Sequence, residues 1–246
     1  MIRQAVIMAG GLGTRLRPVT EKIPKPMVDV NGKPFLEYII FLLKNQGFKD
    51  FLFCVGYKNE IIKNHFGDGS QFGINIEYSI ERKPLGTGGA ILNAKDILDN
   101  KFVLIWGDVF CTVDNRLLAN LFGKSNKLGL MHVYDNSKGT VAQNNVWIEE
   151  DYVKAFYRRE THDLVETKSV DPEILKRLNG VAGGSYVYSK DVINFFPKKE
   201  NFSIENDVYH KLIAEKELIA HKDNTRFFDI GTFERLNMFK LKNFNI

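Results

Sequence analysis

The sequence predicts an α/β protein built on a mostly parallel, mixed central sheet flanked by helices, Rossmann-like in plan. Short apolar runs alternate with amphipathic stretches through the first 110 residues, glycine-rich turns follow several of those runs, and beyond residue 128 the runs crowd together as strands. Strand and helix in alternation imply crossover units on a parallel sheet, whose ligands gather at the carboxyl ends of the strands.

Taken in order, residues 5–8 read as a strand, 34–44 as a helix, 51–55 as a strand, 61–66 as a helix, 74–78 as a strand, 90–98 as a helix and 102–106 as a strand. Strands at 128–134, 146–149, 153–157 and 181–188 follow, with helices near 190–196 and 205–217. Polar surface loops are expected at 136–145 and 160–169. The chain closes with residues 226–229, a Gly231-Thr232 turn and a helix from Phe233 that Thr232 can cap. No repeat or low-complexity segment interrupts it, and 246 residues suit a single core.

Hydrophobic residues at 44% and charged residues at 26% are the balance of an ordinary soluble domain. A net charge of +4 without a long basic run is too mild to argue for nucleic acid, and small anionic ligands are the simpler expectation. Cys54 and Cys111 lie in apolar runs and read as reduced core residues; His65, His132, His162, His210 and His221 show no metal-ligand spacing. The amino-terminal apolar stretch ends at Gly10, too short for a signal or a membrane span, so a cytoplasmic protein is expected.

Directly after the first strand comes Ala9-Gly10-Gly11-Leu12-Gly13-Thr14-Arg15-Leu16-Arg17-Pro18. Glycines this dense leave backbone N–H groups open to a polyphosphate as an anion nest, to which Arg15 adds charge; a tight turn without a ligand is the alternative. The loop has neither the Gly-Lys-Ser/Thr ending of a P-loop nor the third glycine of a dinucleotide fingerprint. Pro24 and Pro26 flank Lys25 and restrict the backbone around it, which either aims its ammonium or merely shapes a surface turn. Asp108 follows the strand Ile105-Trp106, and Asp229 follows Phe227-Phe228, both with glycine neighbours. Two such aspartates suit a hard cation that keeps waters and bridges phosphates, as Mg2+ does; the alternative is that each caps a turn.

Gly10 to Pro18 together with Pro24-Lys25-Pro26 resembles the signature of the sugar-1-phosphate nucleotidyltransferases, the family of mannose-1-phosphate guanylyltransferases and glucose-1-phosphate thymidylyltransferases. The resemblance implies the nucleotide-diphospho-sugar transferase fold. It implies a nucleotide site at Ala9, Gly10, Gly11, Leu12, Gly13 and Thr14, with Arg15 on the triphosphate and Lys25 bridging the reacting phosphates. Lys83-Pro84-Leu85-Gly86-Thr87-Gly88-Gly89-Ala90 is similar to the family's nucleobase loop, which implicates Gly86 and Gly88, and Glu81 sits where the family reads the base edge. An exposed edge-strand carboxylate is the other reading of Glu81. Asp108 and Asp229 match the pair that holds Mg2+ in the family, and Asp108, Arg15 and Lys25 are the expected catalytic set.

The resemblance divides the chain into a nucleotide-binding half, 1–110, and a sugar-phosphate-binding half, 111–246, of one domain. In the second half, Gly184 matches the glycine set against the sugar ring. The family often carries a Glu-Lys pair on the preceding strand, whereas this chain has Arg158-Arg159-Glu160. Arg159 is then the candidate for the sugar phosphate, or part of a solvated surface pair. Lys33-Pro34-Phe35-Leu36-Glu37 and the run 73–90 look closest to bacterial heptose-1-phosphate guanylyltransferases, enzymes of capsule or lipopolysaccharide biosynthesis. The implied reaction joins the NMP part of an NTP to a sugar 1-phosphate and releases pyrophosphate.

GTP is the expected donor, because guanine N1–H and N2–H2 are adjacent donors that one carboxylate accepts together. The same chemistry with UTP, dTTP or CTP, and a silent nucleotide-sugar-binding regulator, are the alternatives. A dinucleotide oxidoreductase is disfavoured by the incomplete glycine fingerprint. The sequence leaves a homodimer open.

Overall fold

The computed structural model describes residues 2–139, 143–158, 163–164, 171–242 and 244. Strands β1 (Gln4–Ala9), β4 (Asp50–Val55), β5 (Asn75–Ile80) and β6 (Lys101–Trp106) form a parallel block. Between them lie a small hairpin, β2 (Asp29–Val30) and β3 (Lys33–Pro34), and helices α1 (Phe35–Asn45), α2 (Asn59–Phe66) and α3 (Gly86–Asn93). The second half adds β7 (Val109–Cys111), α4 (Asn115–Ser125), β8 (Gly129–Tyr134), β9 (Val146–Glu149), β10 (Tyr152–Arg158), β11 (Asp163–Leu164), α5 (Pro172–Arg177) and β12 (Val181–Ser189). It ends with α6 (Ile204–Asp207), α7 (Tyr209–Ala214), β13 (Leu218–Asp223), β14 (Phe227–Asp229) and α8 (Phe233–Lys240).

One 10-stranded sheet runs in the order β11, β10, β13, β8, β12, β6, β1, β4, β5, with β9 on β10. It is mixed: β12 lies antiparallel to both β6 and β8, and β13 is parallel to β8. Buried strands of such a sheet read as continuous apolar runs because both faces are covered. In β1, Ala5, Ile7 and Ala9 join the core of one face while Val6 joins the other.

After β1 the chain adds strands on one side, then crosses to add β6 on the other, so the loops after β1 and β6 part at a topological switch point. A crevice at the carboxyl ends results. The loops stay close at their start, where Gly107 N–H donates to the Met8 carbonyl at 2.9 Å and a Cβ on Gly107 would meet that oxygen at 2.7 Å.

The structure departs from the sequence reading in several places. Helix α3 begins at Gly86, ahead of the expected 90–98, because its glycines pack on the segment around Phe202. Residues 190–195 form a 3-10 helix. The expected helix 205–217 breaks at Val208 into α6 and α7, and Leu218 starts a strand not foreseen. Helix α5 was likewise not foreseen, although Asp171 caps it and Pro172 opens it. Among the described residues no helix is long and apolar enough to cross a membrane. Burial pushes the Cys54 and Cys111 thiols up to about 12, as suits reduced core residues.

Candidate active site

Two cavities open at the carboxyl ends of the parallel strands. The first, of about 540 Å³, is lined by the loops after β1, β4 and β5, the start of α3, Lys25, Trp106 and Asp108. Of the expected nucleotide residues, Ala9, Gly10, Gly11, Leu12, Glu81 and Gly86 line it. The second, of about 610 Å³, lies between β12, the 203–205 segment, β14 and α8, and it shares Thr87, Trp106 and Asp108 with the first.

The glycine loop and Glu81 need one another. A Cβ on Gly10 would meet Glu81 Oε1 at 2.6 Å, so glycine lets the carboxylate lie against the loop backbone. Glu81 also accepts the Leu85 N–H at 3.2 Å. Burial raises its pKa, and the Leu85 N–H only partly opposes this. Around Gly11 a Cβ would meet nothing within 4 Å, which leaves its backbone open to the cavity.

Gly13, Thr14 and Arg15 line neither cavity, and Thr14 and Arg15 are exposed. Gly13 has φ +63° and caps the 3-10 turn Thr14–Leu16, and its carbonyl accepts the buried Thr20 hydroxyl at 2.8 Å. Arg15 reaches across to the carboxyl-terminal turn, where its Nη2 lies 3.4 Å from the position a Cβ on Gly231 would take. Thr20 was not among the sequence candidates; a buried threonine carries no motif, only the loop closure that the fold reveals.

Lys25 is buried between Pro24 and Pro26 in a 3-10 turn, and its ammonium pairs with the Asp108 carboxylate. Asp108 in turn neighbours Asp229: β7 and β14 pair Val109 with Asp229, and the Asp108 carbonyl accepts the Ile230 N–H at 3.1 Å. Both aspartates line the second cavity. Asp229 Oδ1 accepts the Gly231 N–H at 2.9 Å, and Arg235 donates to both Asp229 oxygens at 2.9 Å. Among the described residues no group of three or more His, Cys, Asp or Glu comes together as a metal cage. Two carboxylates lining one cavity fit instead a hard cation that takes its other oxygens from water and phosphate.

Gly88 lies outside the first cavity. A Cβ there would meet the Phe202 ring at 2.2 Å, and its N–H donates to the Phe202 carbonyl at 3.0 Å. The neighbouring Thr87 hydroxyl donates to Glu205 at 2.7 Å and accepts the Ile204 N–H at 2.9 Å, so the nucleobase loop and the wall of the second cavity are tied together. Gly184, with φ +83°, sits in the irregular stretch of β12 beneath Val109 and Trp106, and Val181 and Ala182 rather than Gly184 line the second cavity. Arg159 lies outside the described residues. Among the described residues, the cations that line the second cavity are Arg226 and Arg235, which the sequence reading missed.

A sheet with a glycine loop at its switch point, a buried lysine on an aspartate, and a second cavity sharing that aspartate defines a nucleotide-binding group-transfer protein. The chain belongs to the nucleotidyl transferase family, whose model matches residues 4–243. It is 37% identical over 244 residues to the D-glycero-alpha-D-manno-heptose 1-phosphate guanylyltransferase of Campylobacter jejuni, covering 98% of this chain and 100% of that one. It is 34% identical to the enzyme of that name from Aneurinibacillus thermoaerophilus, covering 93% of each chain. Among solved structures it resembles HddC from Yersinia pseudotuberculosis complexed with GMP-PN, with a TM-score of 0.74, 28% identity, and coverage of 98% of this chain and 99% of that one.

Proposed function

We propose that the protein transfers the guanylyl group of GTP to a sugar 1-phosphate of heptose or mannose type, releasing pyrophosphate. The observation that carries this reading is the pair of cavities meeting at Asp108, one walled by the glycine loop and Glu81, the other by Arg226, Arg235 and Glu205. Two substrates held on either side of one reacting phosphorus need this layout.

In the reaction an oxygen of the sugar phosphate attacks the α-phosphorus of GTP in line, and pyrophosphate departs on the far side. No covalent intermediate on the protein is required. Lys25 and Arg15 offset charge on the phosphates, the glycine-loop N–H groups hold the triphosphate, and Glu81 accepts guanine N1–H and N2–H2. Asp108 and Asp229 would hold Mg2+, which supplies further charge neutralisation at the phosphates. Glu205, oriented by the Thr87 hydroxyl at 2.7 Å and the Ser203 hydroxyl at 2.5 Å, offers an acceptor to sugar hydroxyls. A reaction that consumes GTP is one for the cytoplasm, and the heptose 1-phosphate guanylyltransferases among its relatives support a role in capsule or lipopolysaccharide biosynthesis.

The test is product mass from a mixture of GTP, UTP, dTTP and CTP with heptose, mannose and glucose 1-phosphates. The expected product is a GDP-sugar, with pyrophosphate in equal amount. A pyrimidine product would overturn the choice of base, and no product from any pair would favour a silent binding protein. Asp108→Asn and Asp229→Asn are each expected to lower kcat by about 10²-fold or more with an unchanged thermal melt.

A further inference from the structure

Arg235 belongs to none of the motifs that mark the nucleotide site, yet it holds the carboxylate on which the second cavity turns. Its backbone N–H donates to the Thr232 hydroxyl at 3.3 Å, which seats it in the first turn of α8. Its Nη1 donates to both oxygens of Asp229 at 2.9 Å. Arg226 lines the same cavity, its guanidinium 5.2 Å from the Phe228 ring centroid, and its buried Nε has no hydrogen-bond partner among the described residues.

A guanidinium and a divalent cation cannot both make full use of one carboxylate, since they seek the same lone pairs and repel each other. A phosphate in the cavity changes the balance, because its oxygens offer a planar guanidinium a bidentate, charge-assisted partner at least as good as Asp229. The side chain has room to make that exchange, being 48% exposed.

We propose that Arg235 couples acceptor to cation: it pairs with Asp229 until an acceptor phosphate, held also by Arg226, draws it away and leaves the carboxylate to the divalent cation. The coupling rests on the reading of Asp108 and Asp229 as carboxylates that share a cation with substrate. By linkage, the acceptor phosphate strengthens cation binding and the cation strengthens acceptor binding by the same factor.

The test measures Mn2+ affinity from the paramagnetic resonance signal of free Mn2+, with and without mannose 1-phosphate and corrected for its own chelation of the ion. Wild type, Arg235→Gln and Asp229→Asn are compared, with a thermal melt showing each variant folded. Wild type is expected to bind Mn2+ about 5-fold tighter or more when mannose 1-phosphate is present. Arg235→Gln is expected to bind Mn2+ about 5-fold tighter than wild type without the sugar phosphate, and to gain nothing when it is added. An Arg235→Gln variant no tighter than wild type, beside an Asp229→Asn variant that loses Mn2+, overturns the coupling and leaves nucleotidyl transfer standing. So does a wild type that gains nothing from mannose 1-phosphate. Asp229→Asn binding Mn2+ as wild type does would remove the cation site and the coupling with it.

Discussion

Glu81 brings a carboxylate into the wall of the first cavity, where burial raises its pKa. A carboxyl whose folded pKa lies above its unfolded value holds its proton more tightly in the fold, so ionising it costs stability as pH rises above the unfolded value, about 4.3. Glu81→Gln is therefore expected to melt above wild type at pH 7 and level with it near pH 3, where the carboxyl is protonated in both states. The same variant is expected to lose about 1 to 3 kcal/mol of preference for GTP over UTP and dTTP, read as ratios of kcat/KM. A preference that does not move would remove Glu81 from base recognition. Lys25 gives a second contrast at this scale: it is buried on Asp108, while Lys22 three residues earlier is exposed. Lys25→Ala is expected to lower kcat about 10² to 10³-fold, and Lys22→Ala to leave it within about 2-fold. Equal losses would reduce Lys25 to one surface charge among many.

At the scale of elements, glycines that look alike in the sequence do different work. Gly88 at the start of α3 has the Phe202 ring where a Cβ would go, whereas Gly11 has open cavity. Gly88→Ala is expected to destabilise by about 1 to 3 kcal/mol through overpacking, visible as a lower melting temperature. Gly11→Ala should melt as wild type does and raise KM for GTP instead. If Gly88→Ala shifted KM without shifting the melt, its glycine would belong to the nucleotide after all. This division was not legible beforehand, because a glycine's reason lies in whatever packs on it, here a segment more than a hundred residues away in the chain. Strands β1, β4 and β6 were legible, since burial on both faces writes a continuous apolar run. Strand β13, Leu-Ile-Ala-His-Lys-Asp, was not: half its residues are polar and it follows a helix without a glycine or proline stop. Lys25, Asp108 and Glu81 could be found because motifs surround them. Arg226, Arg235 and Glu205 could not, since their place at the second cavity depends on how β14, α8 and α6 pack.

For the whole molecule, the question is whether residues 1–110 and 111–246 unfold as one. The sheet crosses between them without a break: β6 of the first half pairs with β12 of the second over Lys101 to Ile105 and Ser185 to Ser189. Thr87, Gly88 and Gly89 add a second seam to the 202–205 segment, through the bonds to Phe202 and Glu205. Opening either half alone would expose apolar edges of the other, among them Phe102 and Tyr188, which are fully buried. One cooperative transition is expected, despite a length at which many chains populate intermediates. The chain provides its own reporters, because its two tryptophans fall one in each half, Trp106 at the end of β6 and Trp147 in β9. Trp106→Phe leaves Trp147 to report the second half, and Trp147→Phe leaves Trp106 to report the first. In each variant, the urea midpoint from tryptophan fluorescence should coincide with that from far-ultraviolet circular dichroism. A Trp147 transition well below the circular-dichroism midpoint would show that β9 and its neighbours come apart first, and the chain would then be two cooperative units joined by a shared site.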